Sequence, residues 1–598
     1  MYIDESTFKI EKIENDNKIN QTFIDVISCH ARNAPNEVAL VFLENGDTVQ
    51  PAMTYLQLHE QSMKFAAGIR QHVGVGESVV LLFQSSYEFA VAFFGCIYAG
   101  VISIPLPIPS RRANDWERME KIIDDTNTKL IVIQNKSKDR FIENSKKNIQ
   151  TKKFDLGVYE DLMSVNSVNP AALGGCDTAF LQYTSGSTGS PKGVILTHKN
   201  LLENQMLLKK GFRDFGYSTY LSWLPLFHDM GLIGNFMHAI FMRKPFIFMA
   251  PNAFLQKPIR WLKAISEYKV RVSGAPNFAY DLCVERIKEK DKLDLDLSSW
   301  KVAFNGAEPV RADTLKRFSR EFKDCGFEEE SFYPCYGTAE STLIISGATE
   351  YRAPVYLDVE RASYENNKIN VSVDQKTEDN ITLVSSGKPL IEGSIKIVCP
   401  STHQLLPNLN VGSIWLHSPC NSKGYWNKPE TSKDIFCNRI SGDDSLKDYL
   451  DTGDLGFLDG DNIYITGRKK DLLIFNGRNI YPQDIESCGA ACDISLKAGR
   501  CAATSLYLHG KERLILLFEL ERCHAKRDEY DDVIEKIRET IYKEFTIPVF
   551  SIALLSPSTI PMTSSGKIRR QLCREKYSNN ELNVVATWSD IVKCNMNF

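Results

Sequence analysis

One stretch constrains this chain more than any other, a run of glycine and hydroxyl-bearing residues between two apolar segments. It reads Tyr-Thr-Ser-Gly-Ser-Thr-Gly-Ser-Pro-Lys-Gly over residues 183–193. Glycines let a backbone approach phosphate oxygens without a Cβ in the way. Ser185, Ser187 and Thr188 add hydroxyl donors, and Lys192 adds a mobile cation. An ordinary turn is the weaker interpretation. The sequence therefore predicts a strand–loop–strand unit that binds a polyanion.

The loop departs from the Walker phosphate-binding loop at two positions. Gly186 and Lys192 have the separation that the Walker pattern Gly-x4-Gly-Lys-Ser/Thr requires. However, Pro191 stands where that pattern has glycine, and Gly193 stands where it has serine or threonine. The missing hydroxyl is the group that would hold magnesium in a Walker site. The sequence therefore argues against a P-loop nucleotide hydrolase.

Length and composition narrow the class of protein. A chain of 598 residues predicts two or three domains, and 43% hydrophobic with 24% charged residues is typical of a soluble globular protein. A net charge of −4 gives no electrostatic signal for nucleic-acid binding. The first 20 residues hold no apolar segment of a secretion signal, so the 15 cysteines are expected to be reduced thiols in the cytoplasm.

A long apolar stretch at residues 89–109 has the composition of a membrane span. Pro105, Pro107 and Pro109 interrupt it, whereas a spanning helix needs about 20 uninterrupted residues. We therefore expect a buried helix and a short strand, and no transmembrane segment. Residues 20–134 as a whole alternate between helix and strand patterns, which predicts a largely parallel sheet with helices on its faces.

The pattern changes further along the chain. The polar residues 136–153 are expected to form a solvated surface segment. Residues 355–384 interrupt the alternation in the way that an inserted β excursion would. Shorter strands beyond residue 390 predict a small β subdomain. A charged turn at residues 467–471 then precedes a separate alternating pattern of the size of a small domain.

Three later motifs carry groups that suit a nucleotide. Tyr336 and Glu340 combine an aromatic face for a base with a hard oxygen ligand for magnesium, although a turn with a surface acid would use the same residues. Asp454, in Thr-Gly-Asp, has two acceptor oxygens that fit a vicinal diol. Lys567 ends the run Pro-Met-Thr-Ser-Ser-Gly-Lys, in which Gly566 gives the loop its reach.

In this order the motifs resemble those of the adenylate-forming superfamily of acyl-CoA synthetases, luciferases and peptide-synthetase adenylation domains. The resemblance implies an α/β fold with a large N-terminal domain of mixed sheets flanked by helices plus a β subdomain, and a small mobile α+β C-terminal domain. The implied boundaries are 1–467 for the N-terminal adenylation domain, about 355–384 for a family-type insertion, about 390–467 for the β subdomain, 468–471 for the hinge and 472–598 for the C-terminal domain.

The resemblance also implies a role for each matching residue. Tyr336 would stack on adenine, Thr338 would touch phosphate, and Glu340 would hold Mg²⁺. Asp454 and Arg468 would bind the ribose. The full set implied to bind ATP or AMP is Thr184, Ser185, Gly186, Ser187, Thr188, Gly189, Lys192, Asn305, Gly306, Ala307, Tyr336, Gly337, Thr338, Asp454 and Arg468.

Two lysines are implied to serve the reaction cycle itself. Lys567 would bridge the substrate carboxylate and the α-phosphate, neutralising two groups that otherwise repel. Lys470 stands at the family's hinge position, about which the C-terminal domain turns between half-reactions. An exposed turn is suited to absorbing such a change in backbone dihedral angles.

Three features resemble the fatty acyl-AMP ligase branch in particular. They are the His-Asp-Met-Gly-Leu run that begins at His228, the proline-rich turn at residues 105–109 and the excess length at residues 355–384. His228 would lie beside the carboxylate and α-phosphate, although an ordinary core histidine is an alternative. The insertion would pack on the C-terminal domain and disfavour the arrangement that accepts coenzyme A. The acyl group would then pass to an acyl carrier protein.

The sequence thus predicts an enzyme that uses ATP and Mg²⁺ to convert a medium- or long-chain fatty acid into an acyl-adenylate. Candidate acyl-pocket residues are Phe227, Phe236, Met237 and Phe278, which could equally be core residues.

Three other functions remain as alternatives. An ordinary fatty acyl-CoA synthetase would treat residues 355–384 as a surface loop without a role. An amino-acid adenylation module would need an acid for the substrate amine, and Asp229 is the candidate; it lies in the other branch's motif, and residues 578–598 contain no Asp-Ser-Leu carrier attachment site. A protein that only binds acyl-adenylate would be expected to lack Lys567 or Glu340.

Overall fold

Two sheets with a parallel core form the N-terminal part of the molecule. The computed structural model describes residues 22–148, 154–163, 166–184, 191–213, 218–372, 380–475, 477–508, 511–525, 529–563 and 566–590. The first sheet is parallel except for its last pair, and its order in space is Asp155–Val158, Leu130–Ile133, Ser78–Leu82, Ile102–Leu106, Thr178–Thr184, Lys192–Thr197. Its central strands are buried on both faces, which explains their continuous apolar sequence.

The second sheet has eight strands among the described residues and a parallel centre. Its order is Phe332–Pro334, Val302–Asn305, Val272–Gly274, Tyr220–Ser222, Phe246–Met249, Val38–Glu44 and Thr48–Val49, with Met53–Thr54 also paired to Val38–Glu44. The expected α/β alternation of the N-terminal region is therefore confirmed. Carboxyl ends of parallel strands collect at one edge of a sheet, and this edge is where Asn305 ends its strand.

Helices cover these sheets. Those of the N-terminal region span Phe23–Asn33, Tyr55–Ile69, Tyr87–Ala99, Ala113–Thr126, Asn135–Asn148, Tyr159–Leu162, His198–Phe212, Asp229–Gly231, His238–Phe241, Pro251–Gln256, Ile259–Glu267, Asn277–Arg286, Glu289–Lys292 and Ala312–Phe322. A π-helix occupies Leu232–Met237, and 3₁₀ turns occupy Lys323–Cys325, Glu329–Ser331 and Ala339–Ser341.

The apolar stretch at residues 89–109 is the buried helix and strand that the sequence predicts. Helix Tyr87–Ala99 begins at Ser86, whose hydroxyl accepts from Phe89 N over 3.4 Å, and ends at Gly100 in the left-handed conformation. Every residue from Phe89 to Ala99 is buried. In the part of the chain that the structure describes, no helix is long and apolar enough to cross a membrane.

The polar residues 136–153 were expected to be a solvated surface segment, and the structure adds a helix that the sequence did not predict. Helix Asn135–Asn148 occupies most of this stretch, and the side chain of Phe141 on its inner face is only 3% exposed. The ring of Phe141 packs on Trp116 with centroids 5.2 Å apart. One buried aromatic side chain anchors an otherwise solvated helix, and so few apolar residues leave no helical period to detect in the sequence.

The described residues of 355–384 form an antiparallel strand pair that contacts the C-terminal region of the chain. Strands Tyr356–Glu360 and Asn380–Val384 pair antiparallel, with helix Arg361–Glu365 between them. Tyr364 is buried in a cluster that also contains Tyr481, with ring centroids 4.8 Å apart. Since Tyr481 follows residue 472, the hairpin packs on the chain's C-terminal region.

Short antiparallel sheets follow the hairpin. One sheet consists of strands Tyr336–Gly337, Ile344–Gly347 and Lys388–Pro389. Another consists of Ile395–Val398, Gly412–Leu416, Leu450–Asp459 and Asn462–Arg468. Helix Pro429–Phe436 lies in the connection between the second and third strands of the latter sheet. Tyr336 shares an apolar cluster with the second of these sheets. The expected small β region beyond residue 390 is therefore present, and it is packed against a motif of the predicted site.

The C-terminal region has a hydrophobic core of its own. A hairpin, Leu473–Phe475 and Arg478–Ile480, precedes a four-stranded mixed sheet and three helices. The sheet strands are Leu496–Leu508, Lys511–Leu520, Val549–Leu555 and Val584–Ser589, and the helices are Pro482–Ala491, Asp531–Phe545 and Arg570–Ser578. Alternate residues of strand Lys511–Leu520 enter separate clusters on the two faces of the sheet.

Candidate functional site

The described part of the phosphate loop places Lys192 at the loop's base. Strands Thr178–Thr184 and Lys192–Thr197 pair antiparallel, with Thr184 opposite Lys192. Ser185, Gly186, Ser187, Thr188 and Gly189, all expected to bind phosphate, lie outside the described residues.

Lys192 stands in a region rich in positive charge. Partial burial lowers its pKa, and the nearby ammonium groups of Lys470 and Lys428 lower it further, while Glu340 acts in the opposite direction. Its Nζ lies 4.8 Å from the centre of the Tyr425 ring. An aromatic face holds a cation without neutralising it. Lys428 is paired with Asp125 over 2.8 Å, so Lys192 and Lys470 are the cations here that suit an anion.

Glu340 is held beside Lys192 by the same tyrosine. Tyr425 donates its hydroxyl to Glu340 Oε1 over 2.9 Å. Glu340 lies in the turn Ala339–Ser341, which Thr338 caps by accepting from Ser341 N over 3.3 Å. Gly337 precedes the turn, and a Cβ there would lie 1.9 Å from the Leu343 carbonyl oxygen. The glycine is thus needed for the close approach of this backbone to Leu343 in the turn that carries Glu340.

Tyr336, Asp454 and Arg468 form a connected group. The Tyr336 hydroxyl donates to Asp454 Oδ2 over 2.8 Å, and Arg468 Nε lies 3.2 Å from Asp454 Oδ1. Asp454 and Arg468 face each other across paired strands. The carboxylate of Asp454 raises the pKa of Arg468, and burial followed by Asp454 raises the pKa of Tyr336 well above its usual range. The structure therefore joins two motifs that are 118 residues apart.

A second group of residues predicted to bind the nucleotide is Asn305, Gly306 and Ala307. Asn305 is fully buried at the end of its strand and donates from Nδ2 to Asn277 Oδ1 over 3.1 Å. Within the described residues, its Oδ1 has no hydrogen-bond partner. Ala307 has a φ of +71°, a conformation that few residues with a Cβ adopt. An unpaired buried acceptor beside strained backbone is a common property of ligand sites.

His228 pairs with its neighbour Asp229. His228 Nδ1 lies 2.7 Å from Asp229 Oδ1, which also accepts from Met230 N over 2.7 Å. Burial acts to raise the pKa of Asp229, but His228, Lys567 and the bond from Met230 N together lower it below its usual value. Gly231 allows the turn to fold tightly, since a Cβ there would lie 2.3 Å from Pro225 O. The His-Asp run therefore forms a fixed, polarised pair and not an isolated core histidine.

Lys567, near the far end of the chain, lies close to the His228–Asp229 pair and to Asp454 and Arg468. We call the space among these residues the cleft. Its N donates to Thr563 Oγ1 over 2.9 Å and its O accepts from Thr563 N over 2.7 Å, which closes a tight loop. Partial burial and then Arg468 lower the pKa of Lys567, while Asp229, Asp454 and Glu308 raise it. The lysine loop thus lies among the carboxylates of the N-terminal region.

The four candidate acyl-pocket residues occupy two kinds of position. Phe236 and Met237 are buried in the π-helix, and the Phe236 ring packs on Phe94 with centroids 5.1 Å apart. Phe227 and Phe278 are half-buried. A Cβ at Gly566 would lie 3.8 Å from the Phe278 ring, so Phe278 faces the lysine loop. A role in an acyl pocket remains a prediction for all four.

The turn at residues 468–471 is anchored on both sides of Lys470. Lys469 N donates to Gly453 O over 3.0 Å, within the N-terminal region. The Asp471 carboxylate accepts from Arg570 Nη1 over 3.0 Å, within the C-terminal region. Lys470 itself is exposed. This arrangement suits the predicted hinge position.

Comparison with known proteins matches residues 28–426 to the AMP-binding enzyme family. The medium-chain-fatty-acid–[acyl-carrier-protein] ligase JamA of Moorena producens is 36% identical over 573 residues, which cover 94% of this chain and 96% of JamA. The chain belongs to the AMP-binding enzymes, in their fatty acyl-AMP ligase branch.

Two solved structures of this branch share the fold. A fatty acyl-adenylate ligase of Legionella pneumophila, in complex with acyl adenylate and pyrophosphate, is 36% identical, with a TM-score of 0.73 over 98% of this chain and 99% of that one. A structure from work on the fatty acyl-adenylate ligases of E. coli and L. pneumophila is 30% identical, with a TM-score of 0.84 over 94% and 98% of the two chains. The predicted α/β fold of an AMP-binding enzyme is therefore confirmed.

Two residues of this AMP-binding enzyme were missed by the sequence reasoning. Tyr425 contacts both Glu340 and Lys192. Arg570 makes two bonds of 2.7 Å to Glu486 in addition to its bond to the hinge turn. For Tyr425, the sequence signal is the run Gly-Tyr-Trp in which it stands. For Arg570, the signal is its position as the second of two arginines after the lysine loop.

Proposed function

We propose that this AMP-binding enzyme converts a medium- or long-chain fatty acid and ATP into an acyl-adenylate and pyrophosphate, and passes the acyl group to an acyl carrier protein. The observation that carries the proposal is the position of Lys567. It lies in one cleft with the His228–Asp229 pair and the Tyr336–Asp454–Arg468 group. These groups would meet the reacting atoms and the nucleoside of the same substrate.

The reaction that suits this cleft is an in-line displacement at the α-phosphate. A carboxylate oxygen forms a bond to phosphorus, and the bond from phosphorus to the bridging oxygen breaks, so that pyrophosphate leaves with the electron pair. Lys567 holds the two negatively charged reactants together, and His228 donates to the carboxylate or the phosphate. Lys192 binds the phosphates that leave. The protein contributes mainly position and charge.

In the proposal, Tyr336, Asn305 and Asp454 hold the nucleoside. The Tyr336 ring offers a face for adenine, and the unpaired Asn305 Oδ1 can accept from the exocyclic amine. Asp454 accepts from the ribose hydroxyls while Arg468 compensates its charge.

Magnesium fits Glu340 as a ligand shared with the substrate. In the portion of the chain described here, no group of three or more histidine, cysteine or acidic residues could hold a metal alone. Magnesium is commonly bound by one or two carboxylates together with substrate phosphates, so the single Glu340 carboxylate is sufficient. When bound, Mg²⁺ supplies charge compensation to the departing pyrophosphate.

The choice of a carrier protein over coenzyme A follows from the hairpin at residues 355–384. Arg361 lies 3.7 Å from Glu544 and its guanidinium lies 5.2 Å from the centre of the Phe545 ring. Arg478 pairs with Glu365 over 2.8 Å. These contacts support the proposal that the hairpin holds the C-terminal region and opposes the rotation that coenzyme A would need.

The test is a product assay with ATP, Mg²⁺ and fatty acids of several lengths. Three reactions are compared: one without an acyl acceptor, one with coenzyme A and one with a phosphopantetheinylated carrier protein. The products of each are identified by mass spectrometry. We expect acyl-adenylate that persists with coenzyme A and is consumed by the carrier. Rapid formation of acyl-CoA by the wild type would instead make the chain an acyl-CoA synthetase, and the absence of acyl-adenylate would contradict the whole proposal.

A pair of variants tests the part played by the hairpin. Arg361→Ala removes the contacts with Glu544 and Phe545, so we expect acyl-CoA formation to rise. Arg352→Ala is the control, since Arg352 approaches Glu350 of its own segment over 3.6 Å. Equal behaviour of the two variants would contradict a blocking role.

A cytoplasmic location is also proposed. It is supported by the cysteines of the described residues, all 14 of which are free thiols.

A further inference from the structure

Tyr425 lies between the two groups that are expected to handle the phosphates. Its hydroxyl donates to Glu340 Oε1 over 2.9 Å, and Lys192 Nζ lies 4.8 Å from the centre of its ring. The side chain is 6% exposed. One rigid phenol therefore contacts both the proposed magnesium ligand and the proposed phosphate-binding lysine.

The position of the ring is fixed by contacts that involve neither partner. Tyr425 N donates to Ser432 Oγ over 2.8 Å, and Tyr425 forms an antiparallel bridge with Val194. Phe436 packs edge-on against the ring with centroids 5.5 Å apart. Because Val194 belongs to the strand that begins at Lys192, the ring and the lysine share one support.

The hydroxyl of Tyr425 orients the carboxylate of Glu340. The phenol is the donor of this bond, because an ionised carboxylate only accepts. The bond occupies Oε1 and fixes the rotation of the carboxylate. Oε2 has no hydrogen-bond partner within the residues that the structure describes. That oxygen remains available to a cation.

The ring of Tyr425 holds Lys192 in a different way. A cation–π contact fixes an ammonium group without supplying a negative charge. Since Lys470 adds positive charge nearby, the ammonium keeps its attraction for an anion. The two contacts together set the distance between a cation ligand and an anion ligand.

We propose that Tyr425 is a positioning residue that spaces Glu340 and Lys192 so that Mg²⁺ and the phosphates of ATP are received together. The inference rests on the proposed function, because it assumes that Mg²⁺ and ATP bind at this cleft. It assigns Tyr425 a different task at each end of its side chain, and the two tasks can be separated by substitution.

The test is binding of ATP without fatty acid, measured by isothermal titration calorimetry with excess Mg²⁺ and again with EDTA. Tyr425→Phe removes the hydroxyl and keeps the ring. We expect its affinity for ATP in EDTA to be unchanged and the gain in affinity with Mg²⁺ to be about tenfold smaller, the effect of losing one hydrogen bond to a charged group. Tyr425→Leu also removes the aromatic face, so its affinity should fall in both conditions.

Tyr351→Phe is the matched control, because Tyr351 also donates its hydroxyl to a glutamate, Glu328, and has a lysine, Lys301, 5.5 Å from the centre of its ring, and neither partner belongs to the proposed ATP site. It should bind ATP like the wild type in both conditions. Unchanged Mg²⁺ dependence in Tyr425→Phe overturns the proposal, even where the wild type still forms acyl-adenylate. If Tyr425→Leu does not fold, Tyr425→Phe decides alone. A wild-type chain that binds no ATP overturns the proposed function and this inference with it.

Discussion

Lys567 is bonded to its own loop more than to its surroundings. Bonds between Lys567 and Thr563 close that loop, and no bond from the Lys567 side chain to another described residue holds it in place. At the scale of single residues, the candidate site is therefore a set of bonded groups in the N-terminal region together with one lysine from the C-terminal region.

Replacement of this lysine should affect the chemical step. We expect Lys567→Ala to lower kcat for pyrophosphate release by roughly a hundredfold or more, about 3 kcal/mol of transition-state stabilisation. Lys576→Ala is the control, since Lys576 pairs with Glu581 away from the cleft. A Lys567→Ala enzyme that releases pyrophosphate at the wild-type rate would contradict the assignment.

The sequence predicts the residues of the site better than the links between them. Tyr336 and Asp454 each stand in a motif, yet the bond between them depends on how distant strands pack. Tyr425 stands in no motif that points to its function, and its role is visible only once Lys192 and Glu340 lie on either side of it. Motifs report chemistry that is local in sequence, whereas packing decides which motifs meet.

At the scale of elements, Arg570 connects the helix that follows the lysine loop to the hinge turn. Its guanidinium makes two bonds of 2.7 Å to Glu486 and one of 3.0 Å to Asp471. Glu486 Oε1 also accepts from Ala503 N over 2.9 Å. This arrangement fixes helix Arg570–Ser578, helix Pro482–Ala491 and the turn relative to one another.

Removal of Arg570 should therefore destabilise the C-terminal region. Arg570→Met leaves the buried Glu486 without a counter-charge, so we expect a loss of about 3–5 kcal/mol in the free energy of unfolding, measured by urea denaturation. The double variant Glu486→Gln/Arg570→Met should recover part of that loss, because it leaves no lone charge. Equal stability of the single and double variants would show that the ion pair is not the cause.

The same scale shows which elements could be predicted. Helix Tyr87–Ala99 and its neighbouring strands were predicted because long apolar runs have few other solutions. Helix Asn135–Asn148 was not, because the burial of Phe141 depends on Trp116 of another helix. The hairpin at residues 355–384 was expected from its polar composition, but its contact through Tyr364 with Tyr481 required the structure.

At the scale of the whole molecule, Asp484 lies where the hairpin meets the C-terminal region. Burial raises its pKa to about 7, Glu486 and Glu365 add to the effect, and Arg361 and Arg570 oppose it. Since the folded pKa exceeds that of the unfolded chain, the ionised group costs stability above about pH 7, and the cost is relieved as the pH falls toward 4.

Asp484→Asn should therefore remove a pH dependence. We expect the variant to melt roughly 2–4 °C above the wild type at pH 8, the shift for about 1 kcal/mol, and the difference to shrink toward pH 5. Differential scanning fluorimetry across this range measures it. A difference that is constant with pH would mean that Asp484 does not titrate in this interval.

The two anchors of the hinge turn have a consequence for how the enzyme can move. Lys469 N is bonded to the N-terminal region and the Asp471 carboxylate to the C-terminal region, and Asp471 N donates across Lys470 to Arg468 O over 3.1 Å. A rotation about Lys470, as the predicted hinge would require, must therefore first break this one backbone bond. The turn would open before the C-terminal region could present another surface to an acyl acceptor.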